Sequence, residues 1–159
     1  MLFHLLRRLR RDESGVGFIE LAFVSPLLAL LFLGMFDTSV IIQTNLDLEQ
    51  AAQRTTDLAL AKRPNDNDTS YIEAEAIAAS GADTDDVTVD LIWECGGVRQ
   101  STFVGTCDPG SLSKRFVSVA IEREVWTGVN WRIVGAMFDG GTTDYVPITV
   151  VGDSVVRIQ

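Results

Sequence analysis

The sequence holds very little of the chemistry that enzymes use for catalysis. Its single histidine is His4, close to the N-terminus, so no Ser-His-Asp arrangement can be built further along the chain. Its two cysteines do not form a Cys-X-X-Cys pair, and neither a Walker loop nor a zinc-protease pattern is present. A zinc site would need more ligands than these. The sequence therefore predicts no enzyme, no metal site and no cofactor.

Basic residues are also scarce outside the N-terminal segment. The chain has 13 Lys and Arg against 22 Asp and Glu, and four of the arginines lie between residues 7 and 11. Beyond residue 36, nine basic and 19 acidic side chains leave a net charge of −10. Such a surface repels phosphate groups, which argues against nucleic acid as a partner.

One long apolar run dominates the N-terminal part. Residues 16–36 read VGFIELAFVSPLLALLFLGMF. As a helix this run would extend about 31 Å, which matches the hydrocarbon core of a bilayer. Glu20 and Pro26 are its two exceptions, because one brings a carboxylate into the run and the other removes a backbone N–H. We predict a transmembrane segment at 16–36, with the lipid bilayer as a partner.

The charges on either side of this run predict its orientation. Residues 1–15 form a basic leader, and the positive-inside rule places such a leader in the cytoplasm. The acidic C-terminal region is then periplasmic or extracellular. For a bacterial chain this predicts a single-pass protein of the inner membrane.

Beyond the span the helix is expected to continue as an amphipathic helix over 37–62. Apolar and small residues recur there at spacings of three and four, with Pro64 just after the end. The stripe consists of Ile41, Thr44, Leu48, Ala51, Thr55 and Leu58. Residues 63–86 are predicted to form a linker with a short helix from Ser70 to Ser80, closed by Gly81.

From residue 87 to 159 the period changes to two, which indicates β-strands. We predict an antiparallel sheet of about four strands, packed on the long helix in an α+β, pilin-like fold. The last strand carries Gly152, which suggests a bulge. The predicted strands run over 87–95, 98–104, 117–125 and 145–158.

The apolar segment from Trp126 to Phe138 does not fit the strand pattern. One interpretation is a loop or short helix folded over the core, which we favour because single exposed apolar residues are commonplace. The alternative is an exposed patch for a partner subunit or for the membrane surface.

The two cysteines, Cys95 and Cys107, both follow the predicted span. An even pair in an exported region indicates a disulfide, and the short loop would stabilise the fold by about 3 kcal/mol. The alternative is a pair of reduced thiols.

A short motif stands where the basic leader meets the apolar run. Gly15 ends the leader, Val16 begins the run, and Glu20 is the fifth residue after Gly15. This resembles the class III signal of type IV prepilins, although Leu21 departs from the aromatic residue usual after the glutamate. With Pro26 in mid-span and the Arg-rich leader, the chain is identified as resembling the TadE-like pseudopilins of the Tad (Flp) branch.

The resemblance implies a function and a set of partners. It implies a minor pilin or pseudopilin of a type IVb pilus system, acting in pilus assembly, adhesion or secretion. Its partners would be a prepilin peptidase that cuts between Gly15 and Val16, the Tad assembly platform and other pilin-like subunits. It also implies that Glu20 pairs with the N-terminal amine of a neighbouring subunit. The plainer interpretation of Glu20 is an interfacial carboxylate that reaches the headgroups.

Two other classes of function remain open at the level of sequence. The chain is alternatively a signal-anchored extracytoplasmic binding module that is not part of a pilus. Such a module would need neither Gly15 nor Glu20 at its position. The third class, a secreted protein cut by signal peptidase I, is disfavoured because Phe32-Leu33-Gly34 does not fit an A-x-A site.

Overall fold

A computed structural model describes residues 16–159 of the chain. Within this part the chain forms an α+β fold with a long N-terminal helix, two short helices and one antiparallel sheet. The elements are α1 (Val16–Ala61), α2 (Ser70–Ser80), a 3-10 turn (Thr84–Asp86), β1 (Val87–Cys95), β2 (Val98–Arg99), β3 (Ser113–Val125), α3 (Trp131–Asp139) and β4 (Ile148–Arg157). The chain divides into two compact units between Thr38 and Ser39.

The first unit contains the apolar half of α1. This helix is long and apolar enough to cross a membrane, which is consistent with a single-pass membrane protein. All side chains from residue 17 to 33 are exposed, as expected of a segment whose solvent is lipid.

The second unit begins with the amphipathic half of α1. The predicted stripe faces the core here, with Leu48, Ala51 and Thr55 fully buried or nearly so. Ala52 and Ala59 widen the stripe, and their small side chains let the helix approach the sheet closely. The predicted helix face is therefore confirmed.

Four strands in the order β2-β1-β3-β4 form the sheet, and all neighbours are antiparallel. The central strand β3 buries Val117, Val119 and Ile121 and keeps Glu122 and Glu124 exposed, as its alternation predicts. The α+β class and the four-stranded sheet are confirmed.

The predicted bulge at Gly152 is wrong. β3 and β4 pair without interruption from Phe116–Arg157 to Val125–Ile148, and Gly152 lies directly opposite Ile121. The glycine is needed for another reason, since a Cβ there would lie 2.4 Å from the carbonyl carbon of Leu48. It marks a point where the backbone of α1 closely approaches the sheet.

The second strand is much shorter than predicted. It ends at Arg99, because Phe103 turns into the core and its backbone N–H donates to Asn67 Oδ1 at 3.2 Å. The last strand also begins later, at Ile148, one residue after Pro147, which lacks a backbone N–H for the ladder.

The preferred interpretation of the apolar segment 126–138 is also wrong in part. Its second half does form a short helix, α3, but no residue of that helix is buried. Asn130 caps the start by accepting a hydrogen bond from the Arg132 N–H at 3.1 Å, and Gly140 ends the helix in the left-handed conformation.

Candidate functional site

The candidate site of the N-terminal region is the beginning of α1. Gly15, the predicted processing residue, lies outside the described residues. Val16 is the first residue of α1, and Glu20 follows one helical turn later. A chain that started at Val16 would carry its α-amine at the first residue of this helix.

Glu20 lies among large apolar side chains that point outward. Phe18 is 77% exposed and Phe23 is 82% exposed, and Glu20 itself is exposed. Neither of the two ion pairs formed between residues 16 and 159 includes Glu20. Near the centre of a bilayer a lone acidic residue costs about 2.5–3.5 kcal/mol, and less near the interface. A cation from outside this helix would remove that cost.

Pro26 disturbs the hydrogen bonding of α1, and a neighbouring side chain compensates for it. Pro26 has no N–H, so the carbonyl of Ala22 loses its usual helical donor. Ser25 Oγ donates to that carbonyl at 3.3 Å. A serine next to the proline is how helices in lipid satisfy a freed carbonyl. Sequence analysis did not find this role, although the adjacent pair Ser25-Pro26 is its signal.

The end of the sheet where β1 finishes and β3 begins is held by the predicted disulfide and by the contacts of Arg115. The structure joins Cys95 at the end of β1 to Cys107, with their Cα atoms 5.5 Å apart. The Arg115 guanidinium lies 5.6 Å from the Trp93 ring and 5.4 Å from the Phe103 ring. It also donates to the Gly105 carbonyl at 3.1 Å. These contacts fix the loop between β2 and β3 and have a structural role.

A surface cavity of about 410 Å³ lies between α1, α2 and β3 in the second unit. The two arginines of its lining already have partners. Arg54 pairs with Glu75 at 3.3 Å, and the Arg123 guanidinium donates to the Ser80 carbonyl. Among residues 16–159 no group of three or more His, Cys, Asp or Glu side chains is placed to hold a metal ion.

Together these features define a class of protein. Over residues 16–159 it has one helix suited to a membrane span, which continues into a small α+β domain with an antiparallel sheet. A sequence model of the family described as TadE-like protein matches residues 15–57, so this N-terminal segment is similar to TadE-like proteins. That family is structural rather than enzymatic. A search of the curated proteins found no match, and a search of the solved structures found none either.

The matched segment contains those residues of the predicted resemblance to TadE-like proteins that follow the Arg-rich leader. Gly15, Val16, Glu20 and Pro26 all lie within it, and its end at residue 57 falls in the amphipathic half of α1. The resemblance is confirmed over this segment. The sheet, the disulfide and α3 lie beyond it.

Proposed function

We propose that this chain is a minor pilin or pseudopilin of a Tad (Flp) type IVb pilus system. It is processed by a prepilin peptidase between Gly15 and Val16 and then acts in pilus assembly, adhesion or secretion. The observation that carries the proposal is the TadE-like match over residues 15–57, which contains the processing position, Glu20 and the apolar helix. The role is one of packing, not of catalysis.

The orientation of the chain follows from charge and redox chemistry. The basic leader stays in the cytoplasm, where the peptidase cuts, and the acidic second unit lies outside the inner membrane. The Cys95–Cys107 disulfide supports this orientation, because such bonds persist in oxidising compartments.

Assembly depends on charge neutralisation within lipid. Cleavage leaves Val16 with a free α-amine, a group that can carry a positive charge. The Glu20 carboxylate of one subunit pairs with that amine on a neighbouring pilin-like subunit. The exposed apolar side chains of residues 17–33 then pack between the two helices.

Photo-cross-linking inside the membrane tests this pairing. A photoreactive amino acid replaces Phe23, whose exposed side chain lies near Glu20 in sequence, and the chain is produced with the peptidase, platform and pilin-like subunits of its own system. We expect a cross-link to a pilin-like subunit, identified by mass spectrometry. Glu20→Gln should abolish most of it.

Asp47→Asn is the matched control, because it removes an exposed carboxylate from the same helix outside the span. This variant should retain the cross-link. Equal cross-linking in the Glu20→Gln variant and in the unmodified chain would contradict the proposed charge pairing.

A further inference from the structure

The segment between β3 and β4 presents an unusual apolar surface. At about 100° per residue, the large apolar side chains of α3 fall on one face about 160° wide. Of these, Met137 is 76% exposed and Phe138 is 87% exposed. We call the exposed apolar side chains of this segment the insert surface; it consists of Trp126, Ile133, Met137, Phe138, Tyr145 and Val146.

Local contacts hold this segment in a defined form. The Trp126 and Tyr145 rings, one from each end of the segment, meet edge to face with their centroids 4.9 Å apart. The Asn130 side-chain amide donates to the Thr143 carbonyl at 2.9 Å, which ties the start of α3 to the chain that follows it. The segment is therefore a closed lobe that displays its apolar face outward.

The position of the lobe follows from the packing of β4 along α1 within the second unit. Asn45 Nδ2 donates to the Val151 carbonyl at 3.1 Å, Gly152 lies against Leu48, and Thr56 Oγ1 lies 3.0 Å from Ser154 Oγ. Residue numbers rise together in these three pairs. β4 and this half of α1 therefore run in the same direction.

The rise per residue in strands and helices shows which residue of α1 lies beside the start of β4. Ile148 precedes Gly152 by four residues, which is about 13 Å of strand. The same length of α-helix takes about nine residues. Counted back from Leu48 along the axis of α1, Ile148 therefore lies beside about Ser39. The lobe leaves the sheet at this end, where the chain of α1 leads back into the predicted span 16–36.

We propose that the insert surface binds the bilayer that the N-terminal helix crosses, with the apolar face of α3 lying at the boundary between headgroups and acyl chains. Lipid is the occupant, because Ser39 follows the end of the predicted span by only three residues. Trp126 and Tyr145 are the residue types that concentrate at membrane interfaces. An amphipathic helix lying in the interface plane buries such a face. The inference needs the membrane anchor but not the role in a pilus.

Tryptophan quenching by brominated lipid tests this proposal on the full chain in phosphatidylcholine vesicles. The protein has three tryptophans, Trp93, Trp126 and Trp131. A Trp93→Phe variant reports on the lobe alone, and a Trp126→Phe/Trp131→Phe variant reports on the core alone. Bromine on the acyl chains should remove most of the emission of the first variant and leave that of the second unchanged. Should Trp93→Phe not fold, the wild-type chain serves, since buried Trp93 then adds a constant background.

A charge introduced into the insert surface should lift the lobe out of the lipid. Met137→Glu/Phe138→Glu should abolish the quenching, while Leu112→Glu should not. Leu112 is a matched control, because it is 74% exposed but precedes the opposite end of β3. Flotation with the vesicles and retention of the disulfide show that each variant is inserted and folded.

Two results of the quenching experiment would contradict binding of the insert surface to lipid. Unquenched emission from Trp126 and Trp131 in a folded, inserted chain would overturn the proposal and would leave water or a protein partner on the insert surface. Equal loss of quenching with Leu112→Glu would overturn it too. Neither result bears on processing after Gly15, so the pilus role stands or falls separately.

Discussion

The backbones of Gly152 and Leu48 touch, and this contact locks the sheet onto the helix. A Cβ at residue 152 would lie 2.4 Å from the Leu48 carbonyl carbon and 2.5 Å from Glu49 N. Both are backbone atoms of α1, which cannot move aside as a flexible side chain can. β4 therefore depends on glycine at this position for packing.

Gly152→Ala should lower the free energy of unfolding of the second unit by about 1–3 kcal/mol, because the added methyl group forces the helix and the sheet apart. Thermal unfolding of the full chain in detergent measures this change. Gly135→Ala is the control, since a Cβ there meets nothing within 4 Å and alanine favours the helix. Equal midpoints for Gly152→Ala and the wild type would contradict the close contact.

Removal of the disulfide should destabilise the end of the sheet where β1 finishes and β3 begins. The bond closes a loop with a sequence separation of 12, and the chain-entropy model assigns such a loop about 3 kcal/mol. Cys95→Ser/Cys107→Ser should lower the free energy of unfolding by about this amount in urea titrations. The single variants, which leave a free thiol, serve as comparison. A double variant as stable as the oxidised wild type would show that the fold does not depend on the bond.

Arg115→Lys should destabilise the loop between β2 and β3. Lysine keeps the charge but loses the flat guanidinium, which lies 5.6 Å from the Trp93 ring and 5.4 Å from the Phe103 ring and donates to the Gly105 carbonyl. We expect a loss of about 1–2 kcal/mol and faster hydrogen exchange in the loop.

The same change at Arg99 should have almost no effect. Its 3.9 Å ion pair with Asp90 is exposed, and exposed pairs contribute little. An Arg115→Lys variant as stable and as protected as Arg99→Lys would contradict this role of the Arg115 guanidinium.

Tyr71 gives the fold a dependence on alkaline pH. Burial raises the pKa of its phenol above the ordinary value of 10.0, and the nearby Asp66 and Asp68 carboxylates add to the shift. The phenol donates to the Lys62 carbonyl at 2.7 Å only while it is protonated. Because the folded pKa is raised, the stabilisation is complete below pH 10 and is lost as pH rises through the folded value.

Absorbance titration of the phenolate in a Tyr145→Phe variant checks this prediction, since Tyr71 is then the only tyrosine. We expect a midpoint above 10 in the folded chain and a lower one in denaturant. A Tyr71→Phe chain should lose less stability than the wild type over the same pH range. An identical midpoint in folded and denatured protein would refute the shift.

Hydrophobic periodicity predicts individual helices and strands well, because the pattern arises within a single helix or strand. The stripe around Leu48 and the alternation around Val119 both appear in the structure as predicted. Contacts between distant elements leave no such periodic signal. A glycine in a strand pattern fits a bulge and a close contact equally, and only the fold shows that Gly152 meets Leu48.

The errors in the sheet have the same origin. The pattern after Gly97 continues to Val104, but burial of Phe103 and the disulfide to Cys107 turn the chain away after Arg99. The helix α3 is amphipathic in sequence, yet sequence alone does not say whether a core covers its apolar face. At the N-terminus the sequence alone indicates the motif around Glu20, because the motif is local.

The most direct test of the proposed function is the intact mass of the membrane-bound protein, produced with its cognate prepilin peptidase. The proposal predicts a chain that starts at Val16, and it predicts that Gly15→Val blocks this cleavage. Gly17→Ala is the control, since a Cβ at residue 17 meets nothing within 4 Å and processing should continue. A stable membrane protein that still starts at Met1 would contradict the pilin role and favour a signal-anchored binding module, and a chain that starts beyond Phe36 would contradict the membrane anchor itself.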